Sequence, residues 1–277
     1  MSVSKDQASA WVRTVAQAHL ASNCRQYRWA VYVAQRSNSS AFGFQVDLKP
    51  AEGKIVDENE EYVLLKTSRT EFFVAAKESL SVVPQVGSVC RITPYARRLF
   101  DGTRLDAPIE ENLGNGIVSK VYKLGEYRSY LPIDKSSIVC FQFRDMINII
   151  ESERADDIRT VAQVLIDAGA LAEPVFFQDV LNEEDICDKP PTLRFKVSTS
   201  KHTGYVEIRY DRAGDCFTVL VLNDDMSIKS RNDEVYIAID SPSEIGRIII
   251  DAVDDGSWKI APVEILKKAP ARKAIAA

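Results

Sequence analysis

Apolar side chains recur at spacings of three and four across residues 4–22. Ala8, Trp11, Val12, Val15, Ala18 and His19 fall on one stripe, which predicts an amphipathic helix. Ser4 and Gln7 stand at capping-box spacing, the serine oxygen serving one early amide while the glutamine reaches back to another. The stripe is expected to pack on the domain that follows. From Tyr27 to about Thr93 the period falls to two. YRWAVYVAQ, FGFQVDL, GKIVD, YVLLKT, EFFVAA and SVCRIT are short β-branched and aromatic runs, separated by RSNSS, KPAEG, ENEE, SRT and PQVG. Six such runs with hairpin-length breaks predict a small antiparallel barrel or a strongly curved sheet.

The pattern then loosens. Residues 94–135 are irregular, and the Gly114–Asn115–Gly116 trio places a domain boundary near residues 107–116. Residues 136–171 return to helical spacing, as two helices broken near Glu153–Asp156, with Gly169 as the stop. LRFKVST, GYVEIRYD, CFTVLVLN and EVYIAID predict a second antiparallel sheet. SPSEIGRIIIDAVDDG reads as a capped helix and WKIAPVEILK as a last strand. The fold class is therefore α+β. A helix plus barrel-like domain is expected over residues 1–110, an α+β domain over 111–266 and a disordered tail over 267–277.

Composition narrows the chemistry. Of 277 residues 45% are apolar, enough to order the chain against its conformational entropy. No apolar run is long enough to span a membrane, and the N-terminal residues carry no export signal, so a cytoplasmic protein is expected. Five widely spaced cysteines without a C-x-x-C pair read as reduced thiols, not as a disulfide framework or a zinc site. His19 and His202 are the only histidines, and neither has the context of a catalytic base. The net charge of −5 is unevenly spread: residues 1–50 carry +4 and residues 145–190 carry −9.

Four constellations bear on chemistry. Gly114 to Lys120 begins like a phosphate loop but lacks the G-K-[ST] that would place a lysine on phosphate, so it reads as the start of a strand. Asp47, Glu52 and Lys54 have the D…E-x-K look of a metal-dependent nuclease, although Glu52 falls in a turn too close to Asp47 for a hairpin. Arg28, Trp29 and Tyr32 interleave cations and rings, as surfaces that stack single-stranded nucleic acid do. On a strand, Tyr27 and Trp29 face opposite to Arg28. Arg91, Tyr95, Arg97, Arg98 and Arg104 form a second cluster, suited to bidentate pairing with carboxylates or phosphates. No cofactor or metal is expected.

Residues 53–102 carry a glycine and hydrophobic strand, an acidic turn, YVLLKTSRTEFFV, Leu80, and then Pro84, Val86, Gly87, Val89, Ile92 and Tyr95. In this order the segment resembles the KfrB-type β-domain of broad-host-range plasmids and mobile elements. The size, acidity and lack of enzyme motifs are also similar to plasmid fertility-inhibition factors of the FiwA type. The resemblance implies a non-enzymatic inhibitor of conjugative or T-DNA transfer. It would bind the coupling ATPase of a type IV secretion system, or that system's substrate, through the Arg91–Arg104 cluster. A nucleic-acid-binding accessory protein using Arg28, Trp29 and Tyr32 is the alternative, and a metal-dependent nuclease the third reading.

Overall fold

The computed structural model describes residues 4–34, 38–39, 43–122, 125, 127–171, 175–180, 183–229 and 234–270. The helices are α1 (Lys5–Val15), α2 (Phe141–Ser152), α3 (Val161–Leu165) and α4 (Ser243–Val253). The first seven strands are β1 (Arg28–Tyr32), β2 (Asn38–Ser39), β3 (Gln45–Val46), β4 (Ala51–Glu58), β5 (Tyr62–Lys66), β6 (Glu71–Ala76) and β7 (Val89–Ile92). They are followed by β8 (Ile109–Asn112), β9 (Val118–Val121), β10 (Phe176–Gln178), β11 (Thr192–Ser198), β12 (Thr203–Asp211), β13 (Cys216–Leu222), β14 (Glu234–Ala238) and β15 (Val263–Lys267). The class is α+β. Among the described residues no helix is long and apolar enough to cross a membrane.

The chain divides into two compact units. The first comprises Met1–Asn38, Val46–Ala96 and Gly256–Ala277; the second comprises Ser39–Gln45 and Arg97–Asp255. In the first unit a six-stranded sheet runs in the order β1-β6-β5-β4-β7-β15. All neighbours are antiparallel except β1, which lies parallel to β6 with Arg28 opposite Glu71 and Ala30 opposite Phe73. The sheet does not close into the expected barrel, because β1 and β15 remain its two edges. Bulges at Ile55/Asp57 and Ile265/Lys267 bend it.

Both faces of this sheet are covered. Ala8 and Val12 of α1 pack on Tyr62, Leu64, Phe72 and Val74, while Tyr32, Ile55, Leu65, Phe73 and Ile92 form a separate cluster on the other face. Two-sided burial is why YVLLK and EFFVAA run apolar where a half-exposed strand would alternate. The capping box forms as its spacing predicts: the Gln7 amide donates to Ser4 Oγ at 3.2 Å and the Ser4 amide to Gln7 Oε1 at 3.2 Å. The helix ends at Val15, before the expected residue 22, and continues as a 3₁₀ turn over Ala16–His19.

The second unit holds a five-stranded antiparallel sheet, β10-β11-β12-β13-β14. Leu193, Phe195, Val206, Ile208, Phe217 and Val219 project from one face onto α2, α3 and α4. The helical break near Glu153 is present; α3 ends at Leu165, short of the expected stop, and runs on as a π-helical turn over Ile166–Ala170 in which Gly169 takes φ 101°. Helix α4 forms where expected but without a side-chain cap: Pro242 occupies the N-cap position, and its ring offers no oxygen to the first amides. The Gly114–Asn115–Gly116 trio is not a domain boundary but the turn of the β8–β9 hairpin. Positive φ at all three residues fits that tight turn.

Two further expectations change. The boundary placed at residues 110/111 lies at Ala96/Arg97, and β15, expected in the second domain, completes the sheet of the first. Adjacency in sequence suggests the wrong partner, since β15 pairs with β7 across a long separation. FGFQVDL yields only the two-residue β3, and the β10 edge strand is not legible as one in the sequence. Residues 271–277 of the expected disordered tail lie outside the described residues.

Candidate functional site

Charge separates the units more sharply than it separates the segments of the sequence. The first carries 16 Lys and Arg against 10 Asp and Glu, a net +6; the second carries 19 against 30, a net −11. The first unit thus carries the excess of positive charge, and its β1 edge offers cations and rings together. Strand alternation sends Arg28 and Ala30 to the face of the Tyr32 cluster, and Tyr27, Trp29 and Val31 to the α1 face.

On the α1 face Trp29 is half-buried, and its Nε1 donates to Ser9 Oγ at 3.3 Å. The Arg13 guanidinium lies 5.6 Å from the Trp29 ring centre, and the Tyr27 ring 5.5 Å from it at an interplanar angle of 36°. This is a ladder of cation, indole and phenol. On the opposite face Arg28 is exposed and, among the described residues, has no ion-pair partner. Arg25, just before the strand, is exposed as well.

Arg28 also borders an open cavity of about 400 Å³. The sheet curls enough that Arg28 on β1 and Pro50–Ala51 at the start of β4, three places along in strand order, line the same space. Ala30, Ala51 and Phe73 are apolar walls, and Glu71 stands beside Arg28 across the parallel β1–β6 register. One Glu71 carboxylate oxygen, Oε2, accepts from the Ser68 hydroxyl at 3.3 Å. Tyr32 does not join this surface. It is buried, its hydroxyl donates to the Lys259 carbonyl at 3.3 Å, and burial raises its pKa.

The Arg91–Arg104 set is divided between the two units. Arg91 and Tyr95 belong to the first unit, Arg97, Arg98 and Arg104 to the second. Arg91 is held between Glu52 at 2.8 Å and Glu264 at 3.1 Å, and Tyr95 packs edge-on against Trp258 with ring centres 4.9 Å apart. Arg97 is only 3% exposed and donates to the Gln45 carbonyl at 3.2 Å, so it is not a surface contact. Arg98 donates to the Gly102 carbonyl at 2.8 Å, and Arg104 forks onto both oxygens of Asp106 at 2.8 and 2.9 Å. These guanidinia hold their own chain.

The nuclease constellation fares no better. Asp47 is buried, and Glu52 is engaged by Arg91. No group of three His, Cys, Asp or Glu side chains fit to hold a metal occurs among the described residues. The His19 ring lies 3.1 Å from Asp57 and the His202 ring 2.9 Å from the Leu222 carbonyl. All five cysteines are free, and burial pushes the Cys90 thiol up to about 11.

No family model, curated protein or solved structure matches this chain. The site is thus built from its own residues alone. Sequence reasoning finds Arg28 and Trp29 but misses Arg13 and Glu71. Arg13 follows Val12 on the flank of the helix stripe, where a solvated arginine is the ordinary reading. Glu71 joins the site only through parallel pairing of β1 with β6, which no local pattern announces.

Proposed function

We propose that this chain is a non-enzymatic binding protein that holds single-stranded nucleic acid along the β1 edge of its first unit. The observation that carries the reading is the exposed Arg28, which makes no ion pair among the described residues, beside an open cavity, backed by the Arg13–Trp29–Tyr27 ladder in a unit of net charge +6. Single strands are held by such a combination of cations for the backbone and rings for the bases. Titration of a labelled oligonucleotide against the full chain tests it. With Arg13, Arg25 and Arg28 each meeting one phosphate, the log–log salt slope is about −2, from roughly −0.7 per phosphate on a single strand. Arg28→Ala weakens binding, and absence of any complex at low ionic strength rejects the reading.

A protein partner is favoured by a different observation. The β8–β9 hairpin and the residue after it expose Ile109, Leu113, Ile117, Val118, Val121 and Tyr122, apolar side chains suited to burial against a partner. In the plasmid setting implied by the resemblance of residues 53–102, this arm would engage the coupling ATPase of a type IV secretion system and lower conjugative transfer. Expression beside a mobilisable plasmid tests that reading. Transfer frequency falls with the natural chain and recovers with Leu113→Asp plus Ile117→Asp; an unchanged frequency at normal expression rejects it.

A further inference from the structure

The cavity beside Arg28 has a chemistry more selective than backbone attraction. Its volume of about 400 Å³ lies within the usual span of ligand sites, about 300–1,000 Å³. Ala30, Pro50, Ala51 and Phe73 make its walls apolar, as a flat ring requires. The charged groups at its rim are of two kinds: one cation, Arg28, and two carboxylates, Glu52 and Glu71. Glu52 is already bonded by Arg91 through Oε2 at 2.8 and 3.2 Å. The Glu71 carboxylate makes only the 3.3 Å bond from the Ser68 hydroxyl to Oε2, which leaves Oε1 open among the described residues.

An ionised carboxylate accepts hydrogen bonds and donates none. It therefore selects a base edge that presents donors, and two adjacent donors match its two oxygens better than one. Guanine offers such an edge, with N1–H and the N2 amine side by side. Cytosine and adenine present a single exocyclic amine, and the corresponding edge of thymine opposes two carbonyls to one N–H.

We propose that this cavity seats an unpaired guanine base, with Glu71 accepting from its N1–H and N2 amine and Arg28 holding an adjoining phosphate. The inference rests on the single-strand reading above and deepens it from a charged edge to a base-selective pocket. The weak Ser68 contact gives way as the base enters.

The test uses the full chain and short polythymidine strands in which one position is dT, dG, dC, dA or deoxyinosine. The dG strand binds roughly ten-fold tighter than the dT, dC and dA strands, the scale of discrimination of one good bidentate contact. Deoxyinosine, which lacks the N2 amine, falls between dG and dT. Glu71→Gln brings the dG preference to within about two-fold while the dT strand binds as before. Arg28→Ala weakens all five strands together. Equal binding of all strands, preference for another base, or a dG preference that survives Glu71→Gln overturns the guanine pocket and leaves the single-strand reading standing. Failure of every strand to bind at low salt removes both.

Discussion

The two units use charge in opposite ways. In the acidic second unit several ions are drawn inward and paired there. Arg159 is 1% exposed and meets Asp156 at 2.8 Å, Asp167 at 3.1 Å and Asp254 at 2.6 Å. Burial by itself would lower the pKa of that guanidinium; the hydrogen bond it donates to Asp254 and the three carboxylate charges outweigh burial and raise it. Glu151, also buried, accepts from the Leu131 amide at 2.7 Å and from Lys135 at 2.5 Å. Glu207, fully buried, is gripped by Arg194 and Arg209. On β1 of the basic first unit Arg28 makes no ion pair among the described residues and remains turned to solvent. A buried, matched ion fixes architecture; an exposed, unmatched one is free to meet a ligand.

The contrast is broken most forcibly at Arg159. Replacing it by Met strands three carboxylates around an apolar side chain, and the expected cost is about 3–5 kcal/mol. Urea unfolding followed in the second unit measures it, and a loss below about 1 kcal/mol would show that the ions are not structural. Next in size is Gly53→Ala in the first unit. A Cβ there would lie 2.1 Å from the Lys66 carbonyl oxygen, so β4 and β5 must part, at about 1–3 kcal/mol. A melting temperature equal to that of the natural chain would contradict this close approach.

Smaller effects sharpen the same division. Glu207→Gln leaves Arg194 and Arg209 without their counter-charge, but both side chains reach solvent, so about 1–2 kcal/mol is expected in the same unfolding assay. Arg28→Ala is expected to change stability by less than about 0.5 kcal/mol, as for other surface substitutions, while weakening strand binding. A large stability loss would move Arg28 from ligand to architecture. Thiol labelling gives the finest reading: exposed Cys187 reacts in the folded protein, and buried Cys90, Cys140 and Cys216 react only after unfolding.

Much of this fold is legible along the chain because it is local. The capping box at Ser4 and Gln7, the ENEE and SRT turns, and the β11–β14 ladder each join neighbours in sequence. What stays hidden is non-local. The parallel β1–β6 pairing and the β7–β15 pairing bring distant segments together, and neither leaves a mark on periodicity. The site divides the same way. Arg28 and Trp29 can be found from their alternation, whereas Tyr32, on the same strand, sits over a covered part of the sheet and is lost to the core. The arginines after β7 mislead for a related reason: a guanidinium count says nothing of the carboxylates and carbonyls that fold back onto it.

The position of β15 has a consequence for synthesis. Its residues leave the ribosome after the whole of 97–255, so the nascent first unit must wait with the β7 flank uncovered while the acidic unit, unbroken from Arg97 to Asp255, has already emerged. Maturation of the ligand-holding half is thereby tied to translation of Val263–Lys267, and a ribosome that stalls inside the intervening segment releases a chain whose β1 edge exists without its sixth strand.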